Sequence, residues 1–451
     1  MVKNKLYDYL IFFGICTLLV IAPLVRGAKP LWVMTIIEIE IFSLVFIWLW
    51  KINNNRSKYY LTKGDSHARA TEKGLIKRKF IRTPIDLPLW LFVFLGVFSC
   101  SMSIYLYASM LAMFRLFAVV GLYYLVVNNL SKKFISYIVV LLITMGVALS
   151  LIGFAQLFCD LKHEWWYPRA FMASTFINHN HFSGYLELII PLTIGVFVMK
   201  RRDSSHRYVN DRALFFLRCI LALSLLVMVC AFVIAQSRGA WVCLTVSILI
   251  MNIILVRRRF LKKISFLIFV FIVAVGVLFI LGDNDTLSQR MESLSKVEEE
   301  GTFNVRLEIW KGTVEIIKDN IWKGTGIGTF AWSFAQYRPI KVLGKRAFYS
   351  HNDYLHMTAE MGIVALPLMI WMIITVIVRG MHASGIAFYH KDRRPRQSSQ
   401  RKMFFQREGI LLGSAIGILS LALHGLVDFN FHIPANMNVV AVLAGIIMRN
   451  D

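Results

Sequence analysis

Apolar runs of about 18 residues, long enough to cross a ~30 Å hydrocarbon core as helices, recur along the whole chain. They fall at residues 7–24, 31–50, 86–101, 108–128, 134–157, 180–199, 213–235, 239–256, 262–281, 352–378, 409–425 and 435–449. This pattern predicts an all-α polytopic membrane protein of roughly twelve transmembrane helices, built as one membrane domain over 1–451. Pro23-Leu24-Val25-Arg26-Gly27 follows the first run and offers no small-residue cleavage site. That run is therefore read as a retained span.

The polar residues between the runs are sorted by charge. Lys and Arg crowd the loop 51–82, which holds Lys51, Arg56, Lys58, Lys63, Arg69, Lys73, Lys77, Arg78, Lys79 and Arg82. Lys132-Lys133, Lys200-Arg201-Arg202, Arg257-Arg258-Arg259 and the loop 379–408 with Arg393-Arg394 follow in register. Basic loops stay on the cytoplasmic side, so both termini are expected there. The intervening connections are then extracytoplasmic, and the long one is 282–350. Within it Leu307, Ile309, Trp310, Val314, Ile317 and Ile321 recur at helical spacing. With Trp322 and Trp332 nearby, this segment reads either as a helix on the outer leaflet or as one packed on the bundle.

Composition changes the picture little. The chain has 451 residues, 57% of them hydrophobic, and a mean hydropathy of +0.61. A formal charge of +24 would suit nucleic acid if it were clustered on a soluble face. Confined to short loops, it indicates contact with anionic membrane lipids and no nucleic acid. Six cysteines give no disulfide framework, and no zinc-ligand spacing occurs.

Candidate chemistry gathers at the extracytoplasmic ends of the runs. Arg238 lies in Ser237-Arg238-Gly239-Ala240, a tight connection ahead of a helix start. Free backbone N–H groups there, with small neighbours, favour an anion; the bland reading is an arginine snorkelling to headgroups. Arg306 opens the amphipathic segment. His351 stands in Ser350-His351-Asn352-Asp353, and an imidazole can take a proton from a hydroxyl near neutral pH. Asp353 or Glu360 is a candidate to orient it. Glu38, Glu40, Arg115, Glu187 and Glu360 lie roughly 10–15 Å below the outer helix ends by count. They are read as lining an outward pocket, as structural ion pairs, or both. Asn180 and His181, in Asn178-His179-Asn180-His181, and His424 and Asp428, in His424-Gly425-Leu426-Val427-Asp428, face outward as sugar-binding or capping groups. Gly324-Thr325-Gly326-Ile327-Gly328 lacks a preceding strand and is read as a turn.

The ordered set of motifs resembles the O-antigen ligase family of bacterial inner-membrane proteins. It runs from Phe176-Ile177-Asn178 to Pro191, through Ser237 to Trp241, Arg306 to Trp310, Gly324 to Phe330 and His351 to Gly362, to His424 through Pro434. This defines a ligase-like region over 176–434; the first five spans match by hydropathy alone. The resemblance implies a glycosyltransferase-C-like bundle with its active site facing the periplasm. The implied donor is a glycan on undecaprenyl pyrophosphate and the acceptor is lipid A-core or a growing glycan, with no cofactor and no metal. It further implies that Arg238 and Arg306 hold the pyrophosphate and that His351 is the base. Family motifs do not separate ligases from polymerases.

Two other classes compete. A transporter of a small anion such as bicarbonate would place its site near the midplane, on broken helices. A non-catalytic subunit of a polysaccharide export complex would use the basic loops for docking.

Overall fold

A bilayer core holds no water to pair backbone N–H and C=O groups, so each apolar run must satisfy its own as a helix. The computed structural model describes residues 2–63, 80–159, 171–198, 211–256, 303–339, 347–384 and 407–449. The expected span at 262–281, residues 282–302 of the long loop, and residues 64–79 and 385–406 of the basic loops lie outside them. Among the described residues, nine helices are long and apolar enough to cross a membrane, and two shorter apolar helices accompany them.

In chain order the first helices are α1 (Val2–Leu24), α2 (Leu31–Lys63), α3 (Asp86–Ser101), α4 (Leu106–Asn129) and α5 (Lys132–Phe158). They are followed by α6 (His179–Val198), α7 (Asp211–Ile234) and α8 (Arg238–Val256). The long loop supplies α9 (Phe303–Asp319) and the single turn α10 (Phe330–Ser333). The chain closes with α11 (Asp353–Met361), α12 (Ala365–Ala383), α13 (Arg407–His424) and α14 (Pro434–Met448).

Each expected span within the described residues coincides with a helix, with one correction. The run 352–378 is two helices, because Gly362 takes a φ of +83° and a Cβ there would lie 2.4 Å from Trp322 O. The backbone turns at that glycine, and hydropathy, which reads composition alone, cannot register it. The amphipathic segment is α9. Its stripe of Ile309, Gly312, Thr313 and Ile316 is buried and clusters with Phe330, Phe334 and Ala359. It is packed on the bundle, while Phe303, Trp322 and Trp332 stay exposed.

Small residues decide the tightest helix pair, α6 with α13. A Cβ on Gly413 would sit 2.5 Å from Pro191 O, and one on Gly417 would sit 2.8 Å from Leu188 O. Only glycine admits that approach, as in other lipid-embedded helix contacts. The approach sets Glu187 of α6 against Ser420 and His424 of α13. It therefore fixes where the chain leaves α13 and enters the connection 425–433.

That connection meets three others at one end of the bundle. Thr175 Oγ1 donates to Pro23 O at 2.6 Å, and His179 Nδ1 lies 2.7 Å from Ala235 O. Gly239, at the start of α8, packs on Val427 and His424. The opposite end is held by a different polar group: Lys51 binds Asp8 and Asn129, and Tyr123 donates to Thr83 at 2.7 Å.

Candidate active site

The site grows from two segments laced together, 350–354 and 425–433. Asn352 caps α11 by accepting from Tyr354 N and Leu355 N, both at 3.0 Å. Its amide Nδ2 donates to Leu426 O at 2.8 Å. Asp353 N donates to Gly425 O at 2.8 Å and to Asp428 O at 3.2 Å. The Asp353 carboxylate accepts from Phe431 N at 3.1 Å and from the His432 ring. Ahead of the cap, His351 takes a φ of +53°, a left-handed conformation that a non-glycine residue holds only where its surroundings enforce it.

The carboxylate facing His351 is Asp428, not Asp353 or Glu360. Asp428 Oδ1 lies 3.7 Å from His351 Nδ1, and Oδ2 lies 3.5 Å from Arg306 Nη2. Arg306 Nη1 also donates to Val427 O. Trp310, one helical turn further along α9, donates to Ser350 O at 2.9 Å, so α9 is fastened on both sides of the imidazole. Burial pushes the Asp428 carboxyl up, but His351 and Arg306 outweigh it and hold the group well below the usual carboxylate range. The acid is thus an anion wedged between a guanidinium and an imidazole.

The segment that carries Arg238 also meets this turn. Arg238 is exposed at the first position of α8, and the next residue, Gly239, would bring a Cβ within 3.1 Å of Val427 Cγ2. The start of α8 therefore packs on the flank of the 425–428 turn, whose carbonyl and carboxylate Arg306 engages.

Asp353 and Glu360 have other partners. Glu360 is the receptor for the Gly324–Gly328 turn: its carboxylate accepts from Gly328 N at 2.8 Å and Phe330 N at 2.9 Å. Its carbonyl accepts from Gly326 N at 2.9 Å. His356 Nε2 lies 3.3 Å from Glu360 Oε1. Burial raises this carboxyl, while His356 and the Gly328 N–H oppose it and leave it below the usual value. Burial pushes the His356 imidazole down, against the pull of Glu360.

The intramembrane charges resolve into separate partnerships. Arg115 Nε lies 3.7 Å from Glu38 Oε1, as an ion pair. Glu40 accepts from Thr17. Glu187, fully buried, accepts from Ser420 Oγ at 2.9 Å and meets His424 Nδ1 at 2.8 Å. Asn430 Nδ2 is 3.1 Å from the same His424 nitrogen, and Asn436 links Asn430 to His181 O. Asn180 is buried beside them, its N–H held by Asn178 Oδ1 at 2.8 Å. These groups support the 425–433 connection from below.

Phe429 is the hub that sequence reading missed. Its ring stacks on Tyr349 at 4.2 Å and 4°, and presents edges to His351 at 4.9 Å and His181 at 4.7 Å. The Nζ of Lys29 lies 4.8 Å from the Tyr349 centroid and 5.3 Å from that of Phe429. Nothing local in the sequence flags Lys29, Tyr349 or Phe429, because their meaning comes from contacts between distant segments.

Among the described residues, one group has metal-ligand character: His356, Glu360 and His432, with ligand atoms within 4.8 Å of one another. Each is also held by neighbours, Glu360 by Gly328 N and Phe330 N and His432 by the Asp353 carboxylate. His356 Nδ1 accepts from Ser350 N at 3.3 Å, which assigns the ring proton to Nε2, facing Glu360.

No curated protein matches the chain. Residues 223–370 match the family described as O-Antigen ligase, a segment that contains Arg238, Arg306, His351, Asp353 and Glu360 but ends before Asp428. The match likens residues 223–370 of this polytopic helical membrane protein, about a third of the chain, to the O-antigen ligase family.

Proposed function

We propose that the protein transfers a glycan from a polyprenyl-pyrophosphate donor to a hydroxyl of the acceptor, lipid A-core or a growing glycan chain. The reaction runs at the outer face of the bacterial cytoplasmic membrane, with both termini inside. The basic residues support this orientation: of those described, Lys51 binds Asn129 at the end of α4 and Lys132 opens α5, both at the end opposite the site.

The observation that carries the reading is the row Arg306–Asp428–His351. Asp428 directs Nδ1 of the imidazole toward itself and leaves Nε2 as the base. His351 Nε2 takes the proton of the acceptor hydroxyl as that oxygen attacks the anomeric carbon. The bond from that carbon to the pyrophosphate oxygen breaks, and its electron pair leaves with the pyrophosphate. Arg306 and Arg238 stabilise the charge that develops there. Attack opposite the leaving group inverts the anomeric centre. The donor bond supplies the driving force, so no nucleotide is needed outside the cell.

The test is transfer by purified protein in lipid, with Arg238→Ala, Arg306→Ala and His351→Ala as separate variants. Each is expected to lose transfer while still folding, with a lower thermal midpoint in Arg306→Ala and His351→Ala because each takes a partner from the buried Asp428. Full activity in all three would leave the residue assignment without support.

A further inference from the structure

Lys29 stands on the connection between α1 and α2, well outside the family match at 223–370. The three residues before it are all left-handed: Arg26, Gly27 and Ala28 have φ of 56°, 67° and 59°. A left-handed φ strains the two non-glycine residues, and such strain persists only where neighbours impose it. The neighbours are known. A Cβ on Gly27 would meet Phe176 at 2.8 Å and Ile433 at 3.4 Å, and Ala28 is fully buried. The turn is thus pinned between the 171–178 and 425–433 connections. Its consequence is the position of one ammonium group, against the Tyr349–Phe429 stack whose edge touches His351.

The Phe429 ring contacts both Lys29 and His351. Lys29, His351 and Asp428 also all lie within electrostatic reach of the buried His181 ring. An ammonium beside aromatic rings is partly desolvated, and its attraction for an anion is stronger there than in water. A departing pyrophosphate gathers negative charge, which cations placed near it stabilise. We propose that Lys29 is a third cation of the site and holds a substrate oxyanion beside His351. The proposal rests on the glycan-transfer reading above. Two sources offer the same chemistry: the pyrophosphate of the donor and an acidic group on the acceptor.

The experiment uses the full chain in lipid, with Lys29→Gln, Lys29→Met, Lys29→Arg and Arg26→Gln. The methionine variant keeps the apolar stem against the rings, so it reports the loss of charge should the glutamine variant fold poorly. Transfer is measured with donor and acceptor varied separately, together with inhibition by inorganic pyrophosphate. A rise in donor KM of about tenfold in the neutral variants, with weakened pyrophosphate inhibition, assigns the oxyanion to the donor. A rise confined to acceptor KM assigns it to an acidic acceptor. In both cases Lys29→Arg and Arg26→Gln stay within about threefold of the native protein. Unchanged KM for both substrates, or an arginine variant as impaired as the neutral ones, would overturn the proposal while native activity still upholds glycan transfer. Native protein without any transfer product would remove the functional reading, and the proposal with it.

Discussion

The carboxylate of Asp428 faces Nδ1 of His351 at 3.7 Å, joining two connections that the chain makes far apart. A base whose second nitrogen is directed by an anion keeps one tautomer and gains stabilisation when it takes a proton. Replacing Asp428 with Asn keeps the shape and removes the charge. Transfer is expected to fall by about 10²-fold or more, mainly in kcat. Rapid-quench turnover with saturating donor checks this, and unchanged kcat would remove Asp428 from the site.

The same carboxylate makes stability depend on pH. Asp428 and Glu360 both sit below the usual carboxyl range in the folded protein. Each therefore contributes stability that is fully present above the unfolded values of about 3.9 and 4.3. That contribution is lost as pH falls through the lowered folded values, because the unfolded chain binds the proton first. The thermal midpoint is expected to change little on their account between neutrality and about pH 5. It should then drop steeply, and less steeply in Asp428→Asn. Equal acid sensitivity of native and variant protein would contradict this.

Glu360 is expected to be structural. In Glu360→Gln the amide oxygen can accept one of the two N–H groups of Gly328 and Phe330, while its NH2 faces a donor. One buried donor is left unpaired, at a cost of about 1–3 kcal/mol. Chemical denaturation in detergent measures it. A loss of transfer with unchanged stability would instead place Glu360 in the chemistry.

Much of this was legible locally. A span announces itself by composition over twenty residues, and His351 and Arg306, polar at the edge of such spans, are brought together by the structure with Asp428 between them. Arg115 could be expected to find a carboxylate, and it finds Glu38. What stayed hidden depended on distance in the chain or on single dihedrals. The partner of His351 is Asp428 because α6 and α13 approach through glycine, an arrangement no local window contains. The break at Gly362 rests on one φ. Lys29 reads as an ordinary lysine at the edge of a span until Phe176 and Ile433 pin its turn.

That glycine approach gives a further prediction. Gly413→Ala would place its Cβ 2.5 Å from the backbone oxygen of Pro191, which a side-chain shift cannot relieve. Destabilisation of about 1–3 kcal/mol is expected, together with partial loss of transfer as His424 and its turn move. The thermal midpoint and the specific activity of the same sample decide it. An alanine variant with native values for both would mean that α6 and α13 lie further apart.

The most direct test of the central claim is product formation by purified protein in lipid. A labelled polyprenyl-pyrophosphate glycan is supplied with and without a lipid A-core acceptor, and His351→Ala is run in parallel. The account predicts release of polyprenyl pyrophosphate and a glycan product from the native protein and neither from the variant. A single acceptor-dependent shift would mark a ligase, and a ladder from donor alone a polymerase. Equal product from native protein and His351→Ala, or none from the native protein with either acceptor, would contradict it.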